Sequence, residues 1–305
     1  MSSPAGARQV AVITGASTGI GLATAELLLS RGLFVVLTAR STSLHRFDKV
    51  DFLKKYPDSH WIRPLDVTRP LDRRTLIDEI DRRLGRLDIL INNAGVIYRT
   101  PLEYAYEFES KDQMMVNFHA PLELTKICLP LMRRQGGGRV INISSAAGFF
   151  SVPTMGLYAA SKHALEGASE ALCHELRPWN IMVTIIQPGF VTSEAYESTR
   201  LGLALETGKK GTTQAYENQS RTISALVANA VKLSTATPKD VAEAIYQVAT
   251  MKKPPLRHKV TLDAQVFGFL KKFLPERTFE RLVAYCLDKL SAQAFPPAAA
   301  ALTHK

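Results

Sequence analysis

At 305 residues, 46% of them hydrophobic and 22% charged, the chain carries enough apolar surface to bury a sizeable core, which excludes an intrinsically disordered protein. Its three cysteines, Cys128, Cys173 and Cys286, are odd in number and form no C-x-x-C pair, which excludes a disulfide framework and a zinc ribbon and fits a reducing cytosol. The net charge of +10 is scattered through residues 63–86 and 252–281 without zinc-finger spacing or an RNA-binding signature, so no nucleic-acid partner is expected.

In chain order, short β-branched runs at residues 10–14, 34–37, 89–91, 140–143 and 183–186 alternate with helix-length patterns at 20–30, 71–84, 113–132 and 157–176. Strands that are apolar on both faces need a sheet covered on both sides, so the expected class is α/β, a doubly wound parallel sheet of Rossmann type in a single domain. After Pro188, residues 193–219 are polar and read as a loop or lid. A helix is expected from Thr237, with Pro238 at its first position and Asp240 completing a capping-box-like T-x-x-D. Two apolar-striped segments divided by Pro275 and a Pro- and Ala-rich end follow. The organisation expected is a catalytic domain over 8–262 with a substrate loop at 193–233, an amphipathic helical extension over 263–290, and a disordered tail over 291–305.

Directly after the first expected strand stands Thr14-Gly15-Ala16-Ser17-Thr18-Gly19-Ile20-Gly21, with a helical pattern starting inside it. Gly15 permits the tight turn, Gly19 lets a pyrophosphate approach bare backbone, and Gly21 lets the helix lie close to the sheet. The helix N-terminus adds unpaired N–H groups and positive dipole, so an anionic dinucleotide is the natural occupant. A ligand-free glycine-rich turn is the alternative for an isolated triplet. No lysine follows the last glycine, which excludes a P-loop.

The spacing G-x-x-x-G-x-G resembles that of the short-chain dehydrogenase/reductase family, and four further matches carry the resemblance. Asn92-Asn93-Ala94-Gly95 follows the strand at 89–91, and Asn117 lies in the next helix. Ser145 precedes Tyr158 by thirteen residues, with Lys162 four beyond, and Pro188-Gly189 with Thr192 follows the strand at 183–186. The match runs from about residue 8 to 195, and more weakly to about 262. The resemblance implies that Lys162 also binds a nicotinamide ribose, that Ser145 holds the substrate oxygen, and that Asn117 helps complete a proton relay. It places Ser17, Ile20, Val67, Asn93, Gly95, Val191 and Thr192 along the cofactor, sets Asp66 against the adenine, and implies a homodimer or homotetramer through the helices at 113–132 and 157–176.

The residues also argue the chemistry directly. Tyr158 and Lys162 are i and i+4, on one helix face, and a nearby ammonium favours the tyrosinate and lowers the phenol pKa from ~10, making tyrosine a general acid/base for a carbonyl or hydroxyl. Ser144 is the alternative hydroxyl. About twenty residues past the glycines an NAD enzyme would carry an acidic residue, yet the strand ends Thr38-Ala39-Arg40. A guanidinium there pairs with phosphate, a contact worth ~1.5 to 3 kcal/mol, so NADP (NADPH) is the expected cofactor unless Arg40 is a plain surface residue. Asp66 by itself could simply cap the helix before which it stands. His163 and Cys173 have no second ligand at fixed spacing, so no metal is expected. A sugar epimerase or dehydratase would carry G-x-x-G-x-x-G and a larger substrate domain, neither of which is seen. An idle NADP sensor would show a damaged Tyr/Lys pair, whereas Asn117, Ser145, Tyr158 and Lys162 are all present.

Specificity is expected from residues 193–233 and from the loop after Phe149, where Phe150, Val152, Met155 and Leu157 give an apolar wall, unless these side chains simply pack on the sheet. A steroid-, retinoid- or lipid-like carbonyl or alcohol is the expected small-molecule substrate, with small polar carbonyls as the alternative. No run reaches the ~18 unbroken apolar residues of a membrane span and residues 1–7 are too polar for a signal peptide, so a cytoplasmic protein is expected. The C-terminal segments keep i, i+3, i+4, i+7 apolar spacing, and eight cations from Lys252 to Arg281 outnumber Asp263, Glu276 and Glu280. Their faces either pack on the domain or a partner subunit, cover the cleft, or make peripheral contact with an anionic membrane surface.

Overall fold

The computed structural model describes residues 8–192, 200–203 and 216–294. Its strands are β1 (Val10–Ile13), β2 (Phe34–Ala39), β3 (His60–Pro64), β4 (Ile89–Asn92), β5 (Tyr98–Arg99), β6 (Gly138–Ile143), β7 (Ile181–Gln187), β8 (Arg200–Leu201) and β9 (Arg257–Lys259). Seven of them form one parallel sheet in the order β3-β2-β1-β4-β6-β7-β9, while β5 and β8 pair separately. The helices are α1 (Gly19–Ser30), α2 (Pro70–Leu84), α3 (Glu107–Met114), α4 (Ala120–Arg134), α5 (Gly156–Glu175), α6 (Glu217–Leu233), α7 (Pro238–Thr250), α8 (Leu262–Phe273) and α9 (Glu276–Ala294). The doubly wound parallel sheet expected from the sequence is the fold observed.

Strand alternation builds two cores. Ala11 and Ile13 of β1, Val35 and Leu37 of β2, and Ile89 and Ile91 of β4 face α1 and α7, packing with Leu28, Leu29, Val241, Ile245 and Val248. Their neighbours Val10, Val12, Val36 and Leu90 face the other way, against Leu76, Ile77 and Ile80 of α2 and Leu124, Cys128 and Met132 of α4. Period-2 side chains on strands buried on both faces account for the continuous apolar runs.

All five expected strands and four expected helices are present. Two sheet strands lack a continuous apolar run: β3 reads HWIRP and β9 reads RHK, and both are edges of the sheet, where one side meets solvent. The helix expected at 113–132 starts earlier and is interrupted, α3 and α4 being joined by a π turn at Met115–His119. Part of the segment read as a loop is helical: α6 has a balanced composition and buries only one side, through Thr222 and Ile223. The rest of that loop, 193–199 and 204–215, and the tail at 295–305 lie outside the described residues, and α9 runs on to Ala294. Thr237 caps α7 as read, its Oγ1 accepting from Asp240 N–H while Asp240 Oδ2 accepts from Thr237 N–H at 2.7 Å. Because β1, β4, β6 and β7 all run parallel, their C-terminal ends converge on one edge, and the chain changes direction across the sheet between β1 and β4, where such folds open a crevice.

Candidate active site

The loop leaving β1 has the backbone its glycines require. Gly15 and Gly19 sit at φ of 65° and 55°, and a Cβ on Gly21 would lie 2.5 Å from Gly15 O and 2.6 Å from Asn93 Nδ2. Ser17 and Ile20 are half-buried in this turn. Thr18 precedes α1 without capping it through its side chain, and the first turn holds no acidic residue, so the helix offers N–H groups and positive dipole to the crevice. This cradle fits a pyrophosphate. It is also sewn to the loop after β4: Asn93 Nδ2 donates to Thr14 O (2.9 Å) and Gly15 O (3.0 Å), while Thr14 Oγ1 accepts from the N–H of Asn93 (3.0 Å) and Ala94 (2.9 Å). The Asn93 carboxamide and N–H are thus both committed to the glycine loop, and Thr14, which the motif reading named without a role, joins the two loops.

Further along the same edge, Ala39 is buried at the end of β2 and Arg40 is exposed just beyond it. Burial opposes charge on Asp66, but hydrogen bonds from the Thr68 hydroxyl (2.7 Å) and N–H (3.0 Å), with Arg69 and Arg40 nearby, hold its carboxyl below the usual carboxylate range. Val67 is half-buried, and its carbonyl accepts from Arg73. At the far end, Val191 is buried, while the N–H of Thr192 donates to Ala236 O (3.0 Å), tying the segment to the connection between α6 and α7. Gly189 N–H donates to Thr261 Oγ1 (2.8 Å) and Phe190 N–H to Asp263 Oδ2 (3.0 Å), so the start of α8 pins the loop after β7. Neither Thr261 nor Asp263 carries a sequence signal for this, because their partners lie more than seventy residues away.

Ser145, Tyr158, Lys162 and Asn117 meet where β6, α5 and the π turn converge. The Ser145 side chain stands beside the Tyr158 phenol and favours its ionised form, and its oxygen accepts from Ala147 N–H (3.2 Å). Ser144 is turned away, donating to Glu166 Oε1 at 2.8 Å, so Ser145 is the hydroxyl at the tyrosine. Lys162 is buried, its Nζ donating to Ile143 O (2.8 Å) and lying 5.6 Å from the Tyr158 ring centre. Gly95 passes beside them; a Cβ there would sit 3.3 Å from Asn117 Oδ1 and 3.9 Å from Lys162 Nζ. Asn117 spends its side chain on structure, accepting from Val96 N–H (2.9 Å) and donating to Val96 O (2.9 Å) and Ser161 Oγ (3.1 Å). It stands in the π turn, a helix irregularity common at functional sites because it frees main-chain groups from the ladder.

The electrostatics correct one expectation. Spacing predicts that Lys162 lowers the phenol pKa; in the structure burial pushes Tyr158 above its ordinary value, and the Ser145 side chain pulls the other way. Burial also lowers Lys162 to about 8, opposed by the charge of Glu166. Glu166, unread in the sequence, is i+4 from Lys162 on the same face of α5 and is 4% exposed. It accepts from Ser144, from Gln187 Nε2 (2.7 Å) and from Arg257 Nε (3.0 Å), and Arg257 also pairs with Glu170 (2.7 Å). A carboxylate on the tyrosine–lysine face is a signal that could have found it. The apolar wall is also more than sheet packing: Phe150 stacks on Phe267 of α8 at 5.0 Å between ring centres.

The chain is similar to several known proteins. A protein from Bacteroides thetaiotaomicron named 3-ketodihydrosphingosine reductase is 34% identical over 273 residues, 89% of this chain and 95% of that protein. An NADPH-dependent 3-dehydrocapnine reductase from Ornithobacterium rhinotracheale is 29% identical over 93% of this chain and 99% of its own. The crystal structure of a short-chain dehydrogenase from Streptomyces avermitilis superposes with a TM-score of 0.75 at 30% identity, covering 95% of this chain and 100% of that one. The model for the short chain dehydrogenase family matches residues 9–203, the stretch that builds both the glycine cradle and the tyrosine site, and the chain therefore belongs to the short-chain dehydrogenase/reductase family.

Proposed function

We propose that the protein is an NADPH-dependent oxidoreductase that interconverts a carbonyl and a secondary alcohol on an apolar, lipid-like substrate, with a 3-keto lipid as the leading class. The observation that carries this reading is the convergence of Ser145, Tyr158 and buried Lys162 at the end of a dinucleotide cradle. When bound, the reduced nicotinamide supplies hydride. Ser145 holds the carbonyl oxygen and Tyr158 gives its phenolic proton to it as charge develops. A phenol kept protonated by burial is the donor that reduction needs. Lys162 holds the ribose side of the crevice and stabilises the phenolate left behind, and Asn117 fixes the Gly95 loop beside them. Arg40, exposed next to Asp66 and with no acidic residue at Ala39, supports the 2′-phosphate of NADP. The names of two relatives, which place a keto or dehydro group at carbon 3 of lipid-like molecules, and the Phe150–Phe267 wall support the substrate class. A homodimer or homotetramer through α4 and α5 belongs to the same reading and rests on family resemblance.

The test is NADPH oxidation over a ketone series ordered by chain length, with NADH in parallel. Turnover that rises with chain length and prefers NADPH, with Arg40→Ala narrowing the preference by roughly tenfold or more, supports the reading. Efficient turnover of short polar ketones alone replaces the substrate class, and better activity with NADH removes the role of Arg40.

A further inference from the structure

Helix α8 has two apolar faces, and only one is used. Its inner side packs on the site: Ala264 is fully buried, Phe267 stacks on Phe150, and Lys271 hydrogen-bonds the Phe149 carbonyl. Its outer side presents Leu262, Val266, Phe269 and Phe273, which are 76%, 47%, 62% and 63% exposed. They fall at i, i+4, i+7 and i+11, one stripe about 16 Å long at 1.5 Å per residue. Phe269 and Phe273 touch each other, 4.5 Å between ring centres, and the Lys272 ammonium lies 5.4 Å from the Phe273 ring. With Lys271 turned onto Phe149, three cations, Lys272, Arg277 and Arg281, remain between residues 272 and 281 against two carboxylates, Glu276 and Glu280. The one acidic residue of α8, Asp263, is turned inward onto Phe190 N–H.

We infer that the outer face of α8 docks on an anionic lipid surface, with Phe269 and Phe273 entering the acyl boundary and Lys272 and Arg277 meeting the headgroups. The inference rests on the proposed apolar substrate for its purpose, since it sets the lipid against the helix whose other face lines the cleft. An aromatic stripe rimmed by cations is the pattern of an interfacial helix, whose lysines lie along the apolar surface and keep their charge at the headgroups. A second copy of the chain fits less well, because a symmetric contact would bring two surfaces with the same excess of cations together. Lys252 and Lys253 take no part. They precede β9, and therefore stand at the opposite end of that strand from α8, which follows it.

The test is co-flotation of the full chain with phosphatidylglycerol/phosphatidylcholine vesicles and with pure phosphatidylcholine, at low and high salt, beside sedimentation velocity without lipid. The expected result is binding to the anionic vesicles at low salt that high salt releases. Phe269→Ser/Phe273→Ser and Lys272→Glu/Arg277→Glu should each weaken binding by about tenfold or more, with NADPH oxidation on a short soluble ketone unchanged. Equal binding to neutral vesicles, no binding at low salt, or no effect of either double variant overturns the proposal. A concentration-dependent dimer abolished by Phe269→Ser/Phe273→Ser assigns the stripe to a second copy instead. The flotation and sedimentation readouts need no substrate, so loss of the reductase reading would show in the ketone series and not in vesicle binding.

Discussion

The crevice at the strand ends and the C-terminal arm bury their functional side chains in opposite ways. In the crevice, polar groups are held inside by hydrogen-bond networks: Asn93 is bound on both sides to the glycine loop, Lys162 to Ile143 O, and Glu166 to Ser144, Gln187 and Arg257. A second buried ladder runs behind it, Asn92 Nδ2 donating to Asn142 Oδ1 (2.8 Å) and Asn142 Nδ2 to Ser169 Oγ (2.8 Å) across the paired strands β4 and β6. The arm instead leaves large apolar side chains in solvent and is fastened through a few contacts, Phe267 on Phe150, Asp263 on Phe190 and α9 on α6. The difference teaches where positional accuracy is needed. Proton transfer demands reacting groups fixed to a fraction of an ångström, so the crevice accepts the cost of buried polar groups, whereas contact with a soft apolar partner needs exposed area.

Breaking the crevice should have the largest effects. Tyr158→Phe removes only the phenolic oxygen, and turnover should fall by a factor on the order of 10² to 10⁴ while NADPH binding, followed by cofactor fluorescence, is retained. Unchanged turnover would end the assignment of Tyr158 as the acid.

Lys162 gives the next largest effect through its ionisation. Its pKa is lowered by burial to about 8 in the folded protein against 10.5 in the unfolded chain. Below about pH 8 both states hold the proton and the buried charge weakens the fold in full. As pH rises from about 8 to 10.5 the folded protein releases the proton first and the penalty disappears. Lys162→Met should therefore be the more stable protein below pH 8, by up to roughly 3 kcal/mol, with the gap closing toward pH 10.5 in urea midpoints. A gap that widens with pH would refute the depressed lysine.

Arg257→Met removes the guanidinium from Glu166 and should cost about 2 kcal/mol, less than the ~3 to 5 kcal/mol of a fully enclosed pair because Arg257 is 35% exposed. The smallest effect belongs to the arm. Phe269→Ser, on a side chain 62% exposed, should shift stability by less than about 0.5 kcal/mol in the same assay, and a loss comparable to that of Arg257→Met would mean that the stripe is part of the core.

Much of this molecule was readable along the chain because its signals are local. The glycine loop, the Tyr158–Lys162 pair, the cap at Thr237 and Asp240 and the stripes of α8 each depend on residues within a few positions of one another, so spacing alone specifies the turn or the shared helix face. Apolar runs buried on both faces likewise announce β1, β2, β4, β6 and β7. The edge strands β3 and β9 escape because half of each faces solvent and their composition follows that surface.

What spacing could not supply is anything settled by a distant partner. Arg257 meets Glu166 across 91 residues and Asn93 meets Gly15 across 78, and only the folded sheet decides that Asn93 serves the loop, that Ser144 turns inward and Ser145 outward, and that Asp263 holds Phe190. The same holds for charge: i, i+4 geometry names the lysine beside the tyrosine, but the sign of the tyrosine's shift comes from how much water the surrounding helices exclude. Residue identity and local periodicity carry the chemistry that is present, while burial and long-range pairing, which exist only after collapse, determine how each group is held and how strongly it is charged.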